Sequence, residues 1–197
     1  MNLLRGLTVA LFVGWCLSEV TISVISLVNH LSQRARFEDR FSFVAVWLAL
    51  IGTVALAMIA WRSRNTMTGL GDVGALRSVM AWLGCACLVS GTAIRLAAVA
   101  TLRHQFTTMV TIMAEHRIVD SGPYHCVRHP AYLGLLVCML GFGLCSGHWV
   151  SLAIAAGLPL AAVIYRINVE ERALLRRFGP AYAAYASRTK RLLPGIY

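Results

Sequence analysis

Residues 116–132 read HRIVDSGPYHCVRHPAY. This polar and aromatic stretch, with prolines at 123 and 130, is wedged between strongly apolar runs. Gly122-Pro123 forces a turn, and Pro130 pushes His129 toward extended backbone while itself suiting the first position of a helix. The pattern therefore predicts a helix that starts at Pro130. Arg128, His129 and Tyr132 surround its unpaired N–H groups and positive dipole end. A second polar cluster, Arg166 with Glu170 and Glu171, follows the next two apolar runs. Arg166 and Glu170 are four residues apart and share one helical face. A hairpin between the clusters brings them to the same membrane surface.

The runs on either side set the architecture. A membrane span takes about 20 apolar residues. The candidates are 7–28, interrupted by Glu19; 41–61, without a charge; and 79–101, with Arg95 inside it. After the polar stretch, 133–145 and 149–164 flank Ser146-Gly147-His148, and both are short for spans, which predicts a tight helical hairpin. The expected fold class is all-α: a polytopic integral membrane protein of about five transmembrane helices, with a C-terminal hairpin and an amphipathic tail helix. Residues 1–101 are expected to form a three-helix scaffold and 102–197 the functional core. The segments QRARFEDR (33–40) and RSRNTMTGLGDVGALR (62–77) read as exposed loops.

Composition agrees. Hydrophobic residues make up 58% of the chain and charged ones 13%, against about 25% charge in soluble domains, which excludes an ordinary water-soluble surface. The net charge of +10 sits in span-flanking loops and the tail, where anionic lipid heads and the positive-inside bias account for it better than nucleic acid does. With five spans, thirteen Lys and Arg fall on the side of the two polar clusters and four on the other. The clusters and the C-terminus are thus expected in the cytoplasm and the N-terminus outside. The first apolar run lacks a small-residue cleavage site and is read as a span, not a removed signal. Five of six cysteines lie in apolar runs, and Cys85 and Cys87, two apart, point to different sides of a helix. Neither a disulfide framework nor a metal site is expected.

Two features leave alternatives open. Glu19 and Arg95 are costly in hydrocarbon, so a structural pair is expected between them, or else a substrate-binding role for Glu19. In the tail, VEERALLRRFGPAYAAYASRTKRLLP (169–194), Leu174, Phe178, Ala181, Tyr182 and Tyr185 lie close to one helical face, with a break at Gly179-Pro180. That helix either caps a site or anchors at the interface, and the two are compatible.

Cations, an acidic pair and aromatic rings at one mouth suit a zwitterionic cofactor with a flat base and a ribose. In these residues the chain resembles the isoprenylcysteine carboxyl methyltransferase family, related to the phospholipid N-methyltransferases. The family pattern runs roughly H-x-L-V-x-x-G-x-Y-x-x-x-R-H-P-x-Y-x-G, a hairpin, R-x-x-x-E-E and F-G-x-x-Y-x-x-Y. Here His116, Val119, Gly122, Tyr124, Arg128, His129, Pro130, Tyr132 and Gly134 stand in register, followed by Arg166, Glu170, Glu171, Phe178, Gly179, Tyr182 and Tyr185. Ile118 departs from the usual leucine, and LRHQF at 102–106 departs from a commoner LG-x-x-F/W.

The resemblance implies S-adenosylmethionine as methyl donor. It implies that His116, Arg117, Ile118 and Val119 line the adenine side and that Tyr124, His129, Pro130, Ala131, Tyr132 and Glu170 hold the cofactor. It also implies that Arg166 faces an acceptor carboxylate on a lipophilic substrate. A carboxylate is already ionised at neutral pH and needs no base. An amine or thiol acceptor needs one, with Glu171 or His129 as candidates. A phospholipid amine, a thiol, or a non-catalytic transport or assembly role are the competing expectations.

Overall fold

The computed structural model describes residues 2–32, 36–39, 41–63, 74–106, 110–112 and 118–195. Among these lie seven helices: α1 (Asn2–Ser32), α2 (Phe41–Ser63), α3 (Arg77–Leu102), α4 (Pro123–Cys126), α5 (Pro130–Cys145), α6 (Trp149–Phe178) and α7 (Pro180–Arg188). A two-stranded antiparallel ribbon joins β1 (Arg36–Asp39) to β2 (Val110–Ile112), so the stretch expected as a bare loop around 33–40 holds the one departure from an all-helical fold among the described residues. Three helices, α1, α3 and α6, are long and apolar enough to cross a bilayer, and α2 and α5 add shorter apolar segments. Large apolar side chains on α1, α2 and α3, such as Leu17, Leu48 and Trp82, face outward. Contiguous outward apolar surface on this scale is stable against lipid, not water. The protein is an integral, multi-pass membrane protein.

The spacing of small residues sets how the helices meet. On α3, Gly84 and Gly91 are seven apart; on α5, Gly134 and Gly141 are also seven apart, and the two pairs face each other. A Cβ at Gly91 sits 2.7 Å from the Gly134 carbonyl oxygen, and one at Gly134 sits 2.6 Å from that of Gly91. The helices thus touch backbone to backbone, the packing by which membrane helices associate without a hydrophobic driving force between them. Replacing Gly134 with alanine forces two backbones apart, because its Cβ also lies 2.8 Å from the Arg95 nitrogen. The expected loss is about 1–3 kcal/mol, read as a lower unfolding temperature and less monodisperse protein in detergent. Gly157→Ala, where no heavy atom lies within 4 Å, is the neutral control.

The second apolar run of the hairpin does not stop near residue 164. Its helix is 30 residues long in all, from Trp149 to Phe178, and carries Arg166, Glu170 and Glu171 on one rigid rod. Nothing between 164 and 178 interrupts it, since neither glycine nor proline occurs there, and the expected separate tail helix is in its first half the end of α6. The break falls at Gly179, whose φ of +50° only glycine adopts without strain, and Pro180 opens α7. The buried core between α3, α5 and α6 gathers Leu88, Leu135, Cys138, Met139, Val163 and Ile167, and Leu192 reaches into it from the tail.

Candidate active site

The two polar clusters meet. Pro130 begins α5 directly after His129, whose backbone (φ −125°, ψ 55°) is non-helical but not the extended conformation expected of a residue before proline. The rise of α6 brings its residues 166–171 beside that start. The Tyr132 hydroxyl donates to Glu170 Oε2 at 2.7 Å and accepts from Arg166 Nε at 3.0 Å. Arg166 also donates through a terminal nitrogen to Ser42 Oγ at 2.6 Å, at the start of α2. Arg166 is only 2% exposed, so a full guanidinium charge is held between α2, α5 and α6 at the end of the apolar run. The His129 and Tyr132 rings stack with centroids 5.7 Å apart, and His129 Nδ1 lies 4.0 Å from Glu170 Oε1.

Glu171 is the centre of a clamp. One oxygen accepts from Arg128 Nε at 2.8 Å and lies 3.3 Å from His129 Nε2, while Arg191 reaches the other with Nε at 2.9 Å and a terminal nitrogen at 2.7 Å. The tail runs alongside as a strap. Val127 pairs with Lys190 in a parallel bridge, the Arg128 N–H donates to the Lys190 carbonyl at 2.7 Å, and the His129 N–H donates to the Arg191 carbonyl at 3.0 Å. Arg128 also donates to the Ala186 carbonyl at 2.8 Å and to the Thr189 carbonyl. Two backbones and one carboxylate therefore fix the residues immediately before α5.

The aromatic residues of α4 and α7 close the other side. The Tyr185 hydroxyl donates to the Tyr124 carbonyl at 2.7 Å. Burial pushes the Tyr185 phenol up to about 12 and raises those of Tyr124 and Tyr182 further, so all three stay protonated at neutral pH. Tyr182 is 5% exposed, yet its hydroxyl has no hydrogen-bond partner among the described residues. Glu170 and Glu171 lie close enough to add to the rise in its pKa. A buried, unpaired hydroxyl costs free energy unless a bound group satisfies it.

Of the residues singled out in the sequence, Tyr124, His129, Pro130 and Ala131 are buried around the start of α5, Tyr132 and Glu170 touch, and Arg166 and Glu171 flank them. Ile118 and Val119 are half-buried before α4. His116 and Arg117 lie outside the described residues. The sequence did not single out Ser42, 124 positions from its partner Arg166, or the role of Arg191 as the second cation on Glu171. No local signal points to Ser42. Arg191 lies in the TKRLLP ending of the tail (189–194), for which the sequence named no partner.

The chain is similar to known proteins in sequence and in fold. Residues 82–176 match the isoprenylcysteine carboxyl methyltransferase (ICMT) family. Protein-S-isoprenylcysteine O-methyltransferase B of Arabidopsis thaliana is 30% identical over 115 residues, 57% of this chain and 58% of that protein. The Saccharomyces cerevisiae protein-S-isoprenylcysteine O-methyltransferase is 32% identical over 116 residues, 58% of this chain and 48% of that protein. Cobalt-zinc-cadmium resistance protein CzcN of Cupriavidus metallidurans is 30% identical over 163 residues, 78% of this chain and 64% of that protein. The chain thus spans about half to just under two thirds of the curated relatives it matches. In fold it is similar to the eukaryotic intramembrane Ras methyltransferase ICMT, with a TM-score of 0.64 and 20% identity over 96% of this chain and 68% of that one. Motif order, family match and helical architecture converge: residues 82–176 of this chain carry the sequence of the isoprenylcysteine carboxyl methyltransferase family.

Proposed function

We propose that the protein is an S-adenosylmethionine-dependent membrane methyltransferase acting on the polar end of a lipophilic acceptor, a carboxylate in the first instance. The observation that carries this reading is the Tyr132–Glu170 hydrogen bond, which joins the two halves of the motif where an apolar hairpin meets its polar end. The family match supports the cofactor, and the local chemistry suits it. Glu170 offers an anion to a cationic ligand, the stacked His129 and Tyr132 rings offer flat faces, and the buried Tyr182 hydroxyl offers an unused hydrogen bond. By family likeness, Ile118 and Val119, with His116 and Arg117 before them, take the adenine side. Tyr124 and residues 129–132 take the body of the cofactor.

When bound, S-adenosylmethionine supplies a methyl group on a positively charged sulfur, so its transfer to a carboxylate leaves an uncharged ester and an uncharged thioether. Charge disappears along the reaction, and a dry site at the apolar boundary favours that loss. The residues of the chain then have two tasks, alignment and exclusion of water. Arg166 holds one oxygen of the acceptor carboxylate and leaves the other to attack. Glu171 is the base candidate for an amine or thiol acceptor, but Arg128, His129 and Arg191 already hold it. That engagement suits an acceptor needing no base, with Glu171 serving to fix the turn that carries His129. A lipid tail reaches such a site laterally between helices, while the cofactor arrives from the cytoplasm, the side on which the charge count puts the clusters.

The test is transfer of a labelled methyl group to a total lipid extract and to prenylcysteine by purified protein in nanodiscs, with products analysed by mass. The expected product is a base-labile methyl ester. With a carboxylate acceptor, the rate holds as pH falls to about 5, because an acceptor with a pKa near 4 stays ionised there. A rate that falls steeply below neutrality signals an amine or thiol instead. Absence of both transfer and cofactor binding overturns the reading.

A further inference from the structure

Glu19 on α1 and Arg95 on α3 lie inside apolar membrane helices and are 6% and 7% exposed. Arg95 donates to Glu19 Oε2 at 2.7 Å, and its Nε faces the other carboxylate oxygen. An ion pair buried in this way is a poor source of stability, because well-packed apolar residues of the same volume usually do as well or better. Its geometry points elsewhere. The remaining terminal nitrogen of Arg95 donates to the carbonyl oxygen of Ala131 at 2.9 Å, in the first turn of α5. A guanidinium is a rigid planar fork, so the carboxylate that grips two of its directions also aims the third.

We propose that Glu19 and Arg95 are positioning residues, which set the height and rotation of the α5 start and so place His129 and Tyr132 for the ligand. This rests on the methyltransferase reading above for the identity of that ligand. Three further contacts point the same way. The backbone of Arg95 lies directly against Gly134, one turn beyond Ala131, where a Cβ would meet its nitrogen at 2.8 Å. Ile22, nearly one turn after Glu19, packs in one buried cluster with Ala131 and Tyr124. Tyr132, the residue after Ala131, is the one that reaches both Glu170 and Arg166. The α1 helix, which falls outside the 82–176 family match, is thereby wired to the site through one carboxylate.

Two variants separate positioning from simple support: the double variant E19Q/R95M, which removes both charges and the bond to Ala131, and R95K, which keeps the charge opposite Glu19 but not the fork. Three quantities are read on nanodisc-embedded protein: unfolding temperature, the Kd for S-adenosylhomocysteine, and hydrogen exchange of the amides at 128–135 without ligand. Positioning predicts a near-parental unfolding temperature for at least one variant. In that variant Kd rises about ten-fold, the size of one lost charge-assisted hydrogen bond, and exchange is faster confined to 128–135. A changed unfolding temperature with parental Kd and exchange overturns the proposal. Should the parent itself fail to bind the probe, the methyltransferase reading fails. The exchange data then decide by themselves: faster exchange at 128–135 upholds the positioning role, and unchanged exchange refutes it.

Discussion

Substituting Arg166 by alanine is expected to abolish methyl transfer while leaving the cofactor bound. The guanidinium is buried, and its bonds run to Tyr132 on α5 and Ser42 on α2. A cation kept out of water at the end of an apolar hairpin attracts an anion entering with a lipid tail. Charge is lost along the reaction, so the cost of removing Arg166 comes from misalignment of the acceptor oxygen, which takes at least about 10²-fold from turnover. Because Nε also supports the Tyr132 hydroxyl, cofactor affinity should weaken as well, but only by a small factor, since Tyr132 keeps its bond to Glu170. Arg166→Met preserves much of the volume and serves where the alanine variant folds poorly. Single-turnover transfer measured beside equilibrium cofactor binding separates the two effects. Parental transfer in a folded Arg166→Met protein would remove Arg166 from the acceptor site.

Glu170→Gln carries the second large effect, on binding instead of transfer. The substitution keeps shape and a hydrogen-bonding oxygen but removes the negative charge. The side chain is partly exposed, so stability should change little. The Tyr132 hydroxyl can still donate to it, while the attraction for a cationic ligand is lost. A charge-assisted contact is worth about 1.5–3 kcal/mol, so the Kd for S-adenosylmethionine should rise by about ten- to a hundred-fold in calorimetry. Tyr132→Phe, which cuts the bonds to both Glu170 and Arg166, should weaken binding at least as much. Unaltered affinity in both variants would detach this pair from the cofactor, whatever the activity.

The two effects are separable because the site is built on two rods. The start of α5 presents His129 and Tyr132, and α6 presents Arg166, Glu170 and Glu171 without a break. The strap from Thr189 to Leu192 ties the approach to α5 against both, through the Glu171 clamp and the burial of Leu192 in the core. Contacts run across the expected division between a scaffold of 1–101 and a functional core of 102–197. Ser42 and Arg95 lie in the scaffold stretch yet contact Arg166 and the Ala131 carbonyl in the core stretch, and Glu19 holds Arg95.

Local chemistry alone made much of this legible. Proline at 130 starts a helix, Gly179-Pro180 ends one, and apolar runs without charge lie in lipid. Each follows from the residue and its immediate neighbours, so the membrane class, the start of α5 and both polar clusters could be read from the chain. Of the links between distant stretches, the Glu19–Arg95 pair was legible, because two charges in hydrocarbon need each other. The others were not: the backbone contact of Gly91 with Gly134, the bond from Arg95 to the Ala131 carbonyl, and the second cation that Arg191 brings to Glu171 depend on which helix faces cross and at what height. A helical period fixes the face of a residue on its own rod but not the partner opposite. That choice is made by packing, where small residues let two backbones close and buried charges take the partners this brings within reach.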